Sequence, residues 1–206
     1  MIPNLSKIES KLLDLEKRRD TVMQQSRELI RLAGKTIATM HASGTNGLSP
    51  AINELKKRKS ALSRSEKGFE YYALQAHQEY SEALILHTII SRKRIPSMAE
   101  IGETEVAYLL GLMDAVGELK RESIESIRKG KPEDAKSYYK LMSDIYDSTL
   151  HMRFANSVLP DFRRKQDVAR IQLESVMNEM LRLSKPSIPS ENNATITTAM
   201  IRIAQP

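Results

Sequence analysis

TEVAYLLGLMDAVGELKRESIESIRK, residues Thr104 to Lys129, carries apolar side chains at three- and four-residue steps. Val106, Leu109, Leu110, Met113, Val116, Leu119, Ile124 and Ile127 cover about half the circumference of a helix at ~100° per residue. On the other half Ala107, Gly111, Asp114 and Glu118 stack above one another. Asp114 and Glu118 are four apart, so their carboxylates are neighbours on one face. The small residues beside them allow a second helix to approach closely, and what that helix brings decides the chemistry.

The rest of the chain is periodic in the same way. Leu5, Ile8, Leu12, Leu15, Val22, Leu29, Ala33, Ile37 and Met40 predict one helix of ~50 Å that needs a partner along its length. The loop Ser43-Gly44-Thr45-Asn46-Gly47 ends it, and Ser49-Pro50 predicts an N-cap with proline at the first helical position. A second helix then runs through Ile52, Leu55 and Leu62, and a third spans about Glu66 to Ser91. One stripe of the third reads Tyr71/Tyr72, Gln75, Glu79, Glu82, Leu86 and Ile89/Ile90, which places two acids between aromatic and aliphatic neighbours. A buried carboxylate is costly unless a cation or hydrogen-bond donors compensate it.

Ser97-Met98-Ala99-Glu100 is a capping box that opens a short helix. The Asp114/Glu118 helix stops at Gly130, and Pro132 opens the next, with the stripe Ala135, Tyr138, Met142, Ile145, Thr149 and Met152. A last helix follows Leu159-Pro160-Asp161 through Phe162, Ala169, Leu173, Val176, Met180 and Leu183. From Lys185 the composition turns to Ser, Pro, Asn and Thr. The expectation is an all-α, seven-helix bundle formed by one domain, residues 1–185, with a mobile tail over residues 186–206.

With 206 residues and 40% apolar content, the chain can bury one good core. The formal charge is +6 and the pI about 9.4. That excess fits a polyanionic partner, and many inert proteins carry the same excess. Absence of cysteine excludes disulfides, zinc ribbons, iron–sulfur clusters and thiol nucleophiles. No apolar run approaches the ~20 residues of a membrane span, and the N-terminus has no apolar core of a signal peptide. The expectation is a cytoplasmic protein with no membrane partner. Aromatic content is 5% with no Trp, which offers few stacking platforms and favours contacts to a nucleic-acid backbone over contacts to bases.

If the third helix packs antiparallel to the Asp114 helix, Glu79 and Glu82 face Asp114 and Glu118. Four converging carboxylates repel one another without a cation. No histidine lies three residues after a Glu, so the di-iron Glu-x-x-His pattern is absent. An all-oxygen site suits Mg or Mn. Two such ions activate water and stabilise the leaving oxygen in phosphodiester cleavage. Two structural alternatives stand beside this: acids on a solvated face, and acids paired with Arg92 or Arg94.

The blocks SRELIRLAGKTIATMH (Ser26 to His41), QEYSEAL (Gln78 to Leu84), IPSMAEI (Ile95 to Ile101), VAYLLGLMDAVGEL with KRESIESI, and NSVLPDFRRKQDVARIQLESVMNEML (Asn156 to Leu181) resemble the translin family. The paired acidic blocks look like the translin-associated factor X branch rather than translin itself, which lacks the acidic pair on the first of these helices. The resemblance implies a seven-helix bundle assembling into a hollow, football-shaped octamer, and a Mg-dependent endoribonuclease cutting RNA inside the shell. It places the catalytic, metal-binding acids on Glu79, Glu82, Asp114 and Glu118. The tight connection between Ile101 and Thr104 is similar to compact, self-assembling archaeal members, so the expected oligomer is made of this chain alone. The other function expected of such a chain is a shell that binds RNA or single-stranded DNA without cutting it. Phosphates would then track along basic residues at Arg18, Arg19, Lys56, Lys57, Arg58, Arg92, Arg94, Arg163 and Arg164. The bland alternative for the lysine-rich run is a solvated face.

Overall fold

The computed structural model describes residues 4–184. Among these residues are seven helices and no strand: α1 (Leu5–Ser43), α2 (Ser49–Ser65), α3 (Glu70–Arg92), α4 (Met98–Ile101), α5 (Glu105–Arg128), α6 (Pro132–Thr149) and α7 (Phe162–Ser184). The all-α bundle expected from the periodicity is present. The expected tail, residues 186–206, and the side chain of Leu183 lie outside the described residues.

The two central helices are α3 and α5. α1 covers α3 on one side, with α2 outside it, and α6 and α7 cover α5 on the other. This explains why α3 buries residues all round its middle, from Ala73 and Ala76 through Ala83, Leu84, Ile85 and Leu86. At the crossing of α3 and α5, Gly111 has no room for a side chain. A Cβ there would lie 2.5 Å from the Ser81 Cβ and 2.8 Å from the Gln78 carbonyl oxygen and the Glu82 nitrogen. The two backbones therefore approach more closely than two larger residues would permit.

Helix ends follow local chemistry. The Ser97–Glu100 capping box forms as expected. Thr104 caps α5 by accepting a hydrogen bond from the Ala107 N–H, and Gly130, at φ +68°, turns the chain after it. The start of α2 differs from expectation. Ser49 is already helical, and Leu48 occupies the cap with no side-chain hydrogen bond. Leu48 is buried, so packing, and not capping, fixes the chain's entry. The third helix begins at Glu70 rather than Glu66, because residues 66–69 form the turn into it.

A second correction concerns α1. Its apolar seam is buried from Val22 onward, but Leu5, Ile8, Leu12 and Leu15 are 46–60% exposed. The Arg18 guanidinium donates to the Lys67 carbonyl in the α2–α3 turn at 2.9 Å, which marks the end of the bundle. The helix before it projects past its intrachain partners.

A buried charge cluster ties the connections together. His77 on α3 bonds Glu103 through Nδ1 and Glu66 through Nε2, both at 2.7 Å. The Glu103 side chain is 1% exposed, with Lys59 Nζ 3.6 Å away. Burial opposes charge on His77, but Glu103 and Glu66 outweigh it and raise its pKa. Among the described residues no helix is long and apolar enough to cross a membrane.

Candidate metal centre

The close approach at Gly111 brings together the four acids singled out in the sequence. Glu79 and Glu82 stand on α3, three residues apart, while Asp114 and Glu118 stand on α5, four apart. Glu82 is 8% exposed. Burial raises its pKa to about 8, assisted by the negative charges of Asp114, Glu79 and Glu118 and opposed by Lys165. Glu79 is raised for the same reasons, burial first and Asp114 next. Within the described residues neither carboxylate makes a hydrogen bond or an ion pair, so each lacks the donors that normally compensate a buried acid.

The other two acids are compensated. Asp114 accepts hydrogen bonds from the Gln78 amide and from the Lys165 ammonium on α7. Glu118 bonds His41 Nε2 on α1 at 2.5 Å, and His41 Nδ1 meets Glu122 at 2.6 Å. Hydrogen bonds to Glu118 and then Glu122 lift His41 to about 9. At neutral pH it is an imidazolium donating from both nitrogens. The same bond lowers Glu118 below the usual carboxylate range.

The alternative pairing of these acids with Arg92 or Arg94 is not what forms. Arg94 makes a fork with Glu100, at 2.9 and 2.5 Å, and Arg92 has no ion pair within the described residues. Lys165 and His41 supply the neutralising charge, and neither was expected beside these acids. Lys165 follows Arg163 and Arg164 at the start of α7, and His41 ends the block that begins at Ser26. No spacing rule ties them to acids 51 and 77 residues away. The expected apolar stripe of α3 also needs correction at its start. Tyr71, Tyr72 and Gln75 are exposed, because the stripe leaves the bundle there.

With Asp114 on Lys165 and Glu118 on His41, no three His, Asp or Glu side chains among the described residues stand arranged to hold one ion. The donor chemistry nonetheless fits a hard divalent cation. The set is all oxygen, two members are unpartnered among the described residues, and a third is held by the Lys165 ammonium.

The nucleic-acid candidates divide into two groups. Arg18 stacks on Phe69, 5.3 Å from the ring centroid, and Arg19 pairs with Asp20 at 2.7 Å. Arg164 lies 3.8 Å from Asp161, with Arg163 exposed beside it. Elsewhere, Arg58 bonds Glu54 and Glu28 at 2.7 and 2.9 Å. Lys56 and Arg92 depress the pKa of His87, after burial, with Lys57 exposed nearby on α2.

Comparison with known proteins gives concordant results. The translin family pattern matches residues 17–184. An uncharacterized protein of Methanocaldococcus jannaschii is 30% identical over 167 residues, covering 79% of this chain and 75% of that protein. The crystal structure of apo-NeC3PO superposes with a TM-score of 0.80 at 27% identity, over 88% of this chain and 97% of that one. A complex of AfC3PO with duplex RNA gives 0.76 at 25% identity, over 87% and 95% respectively. The matched pattern spans the helices that carry all four acids, His41 and Lys165, and the chain belongs to the translin family.

Proposed function

We propose that this chain is a divalent-cation-dependent endoribonuclease that cuts single-stranded or locally unpaired RNA within an oligomeric shell. The observation that carries the proposal is Glu82. It is a buried carboxylate with no hydrogen bond among the described residues, surrounded by three more acids at the close approach of two helices. A fold gains no stability from such an uncompensated group, and a bound cation would supply the compensation it lacks. Glu79, Glu82, Asp114 and Glu118 would hold Mg or Mn. When bound, such ions activate water and stabilise the leaving oxygen of a phosphodiester.

The chain's own residues supply the rest. Gly111 sets the separation of the two acidic pairs. The imidazolium of His41 fixes the orientation of Glu118. Lys165 keeps a positive charge beside Asp114, where a phosphate would approach. RNA as substrate is supported by the duplex RNA in the AfC3PO complex and by the net charge of +6. The oligomer is supported by exposed apolar rows on α1 (Leu5, Ile8, Leu12) and α7 (Val168, Ile171, Met177), and the expected assembly is a homo-octamer.

Glu82→Ala and Asp114→Ala are expected to abolish Mg-stimulated cleavage of labelled RNA while light scattering finds the oligomer intact. Wild-type rates in both variants would overturn the assignment. The second reading is a shell that binds RNA or single-stranded DNA without hydrolysis. The pairing of Asp114 with Lys165 and of Glu118 with His41 favours it. Identical product in Mg and in EDTA would establish it.

A further inference from the structure

Tyr71 and Tyr72 open α3 with their rings in solvent, 87% and 44% exposed. Their centroids are 5.7 Å apart with the ring planes at 82°, and Phe69 extends the cluster, 6.4 Å from Tyr72. Aromatic faces of this size are normally buried. Phe69 packs against the core, whereas Tyr71 and Tyr72 lie outside it.

The surroundings are basic on both sides. Arg18 sits over Phe69, and Tyr72 lies close enough to Arg19 to bear on its charge. On the other side a groove of about 430 Å³ separates the tyrosines from the start of α7. Tyr71, Tyr72, Gln78, Leu110, Arg164 and Lys165 line it. Gln78 and Lys165 are the two donors that hold Asp114, so the groove runs from the tyrosines to the carboxylate cluster. Tyr71 precedes Glu79 by eight residues, about 12 Å along the helix. That distance is a few nucleotides at the ~3.4 Å rise of a stacked strand. The pairs of Arg19 with Asp20 and of Arg164 with Asp161 are surface pairs, weak enough to yield to a phosphate.

We infer that Tyr71 and Tyr72 form a stacking platform for unpaired bases, flanked by Arg18, Arg19 and Arg164 as phosphate contacts, which leads a single RNA strand into the carboxylate cluster. The inference rests on the proposed reading that RNA is the substrate, and it supplies a physical basis for preferring unpaired RNA. Bases in a duplex already stack on their neighbours and present no free face, whereas an unpaired base gains from an aromatic one. It adds base stacking to the backbone contacts that the low aromatic content favours. The aromatics are few, but two of them are exposed beside the site.

The test is fluorescence anisotropy in EDTA, where Mg-dependent cleavage is absent, using a short labelled RNA single-stranded and as a blunt duplex. The double variant Tyr71→Ala/Tyr72→Ala is expected to lose about tenfold in affinity for the single strand and none for the duplex. Tyr71→Phe/Tyr72→Phe retains wild-type affinity for both. Equal loss for both RNAs, no loss for either, or dissociation of the oligomer by light scattering overturns the platform. The last result would assign the tyrosines to a subunit contact. Failure of the wild-type protein to bind either RNA would instead overturn the RNA reading itself.

Discussion

Replacing Glu82 by Gln removes one negative charge at nearly constant shape, and its effect on the metal-free protein follows from the structure. The carboxyl is raised from an ordinary 4.5 to about 8, by burial first and by its acidic neighbours second. The folded state therefore holds this proton more tightly than the unfolded state does. The penalty for ionising the group is absent below about pH 4.5, grows with pH, and is complete above about pH 8. At ~1.4 kcal/mol per unit, the full gap is worth roughly 3–5 kcal/mol, with less than about 1 kcal/mol of it present at pH 5. Gln carries no charge at any pH. The variant should therefore unfold roughly 10 °C above wild type at about pH 8.5 in EDTA, and within a few degrees of it at about pH 5. Circular dichroism melts at the two pH values read this directly. A saturating divalent cation should narrow the difference at high pH, because it stabilises the wild-type site by mass action and the variant less. Equal stability of the two proteins at high pH, or a destabilised variant, would refute the claim that Glu82 is a buried, uncompensated acid.

Two further outcomes follow from the packing. Gly111→Ala should destabilise the protein by about 1–3 kcal/mol in denaturant titration, because its Cβ would meet backbone atoms of α3 at 2.8 Å; a neutral effect would contradict the close approach. His77→Ala should destabilise by about 3 kcal/mol near pH 6, since it takes the imidazolium from buried Glu103 and leaves it Lys59 at 3.6 Å and the Thr104 N–H at 3.3 Å. The His77 pKa is raised, so its contribution is fully present below about pH 6.5 and lost as pH rises through the elevated value. The loss on substitution should therefore shrink at high pH, and a pH-independent loss would count against a charged His77.

Helix identity was legible because each segment carries its own period. Burial along a helix was less so, since it depends on where the packing neighbour ends. The apolar seam of α1 runs from Leu5 to Met40, interrupted at Arg19 and Ser26, yet it loses its cover before Val22 because α2 ends and α3 begins alongside Arg18. The stripe of α3 leaves the bundle at Tyr71 and Tyr72 for the same reason. Asp114 and Glu118 lie opposite the apolar arc of α5 and read locally as a solvated face. They are half-buried because α5 is covered by α3 on one side and by α6 and α7 on the other. Gly111 was the local sign of that second contact. The partners of the acids were not legible, because Lys165 and His41 reach them only through the tertiary arrangement of α7 and α1.

The most direct test of the carboxylate centre is diffraction from crystals soaked in Mn at about pH 8, with data collected for anomalous signal. The account predicts a peak between α3 and α5 among Glu79, Glu82, Asp114 and Glu118, with the Lys165 ammonium displaced from Asp114. Saturating Mn that leaves the four acids without a peak, with Lys165 still bonded to Asp114, would contradict it.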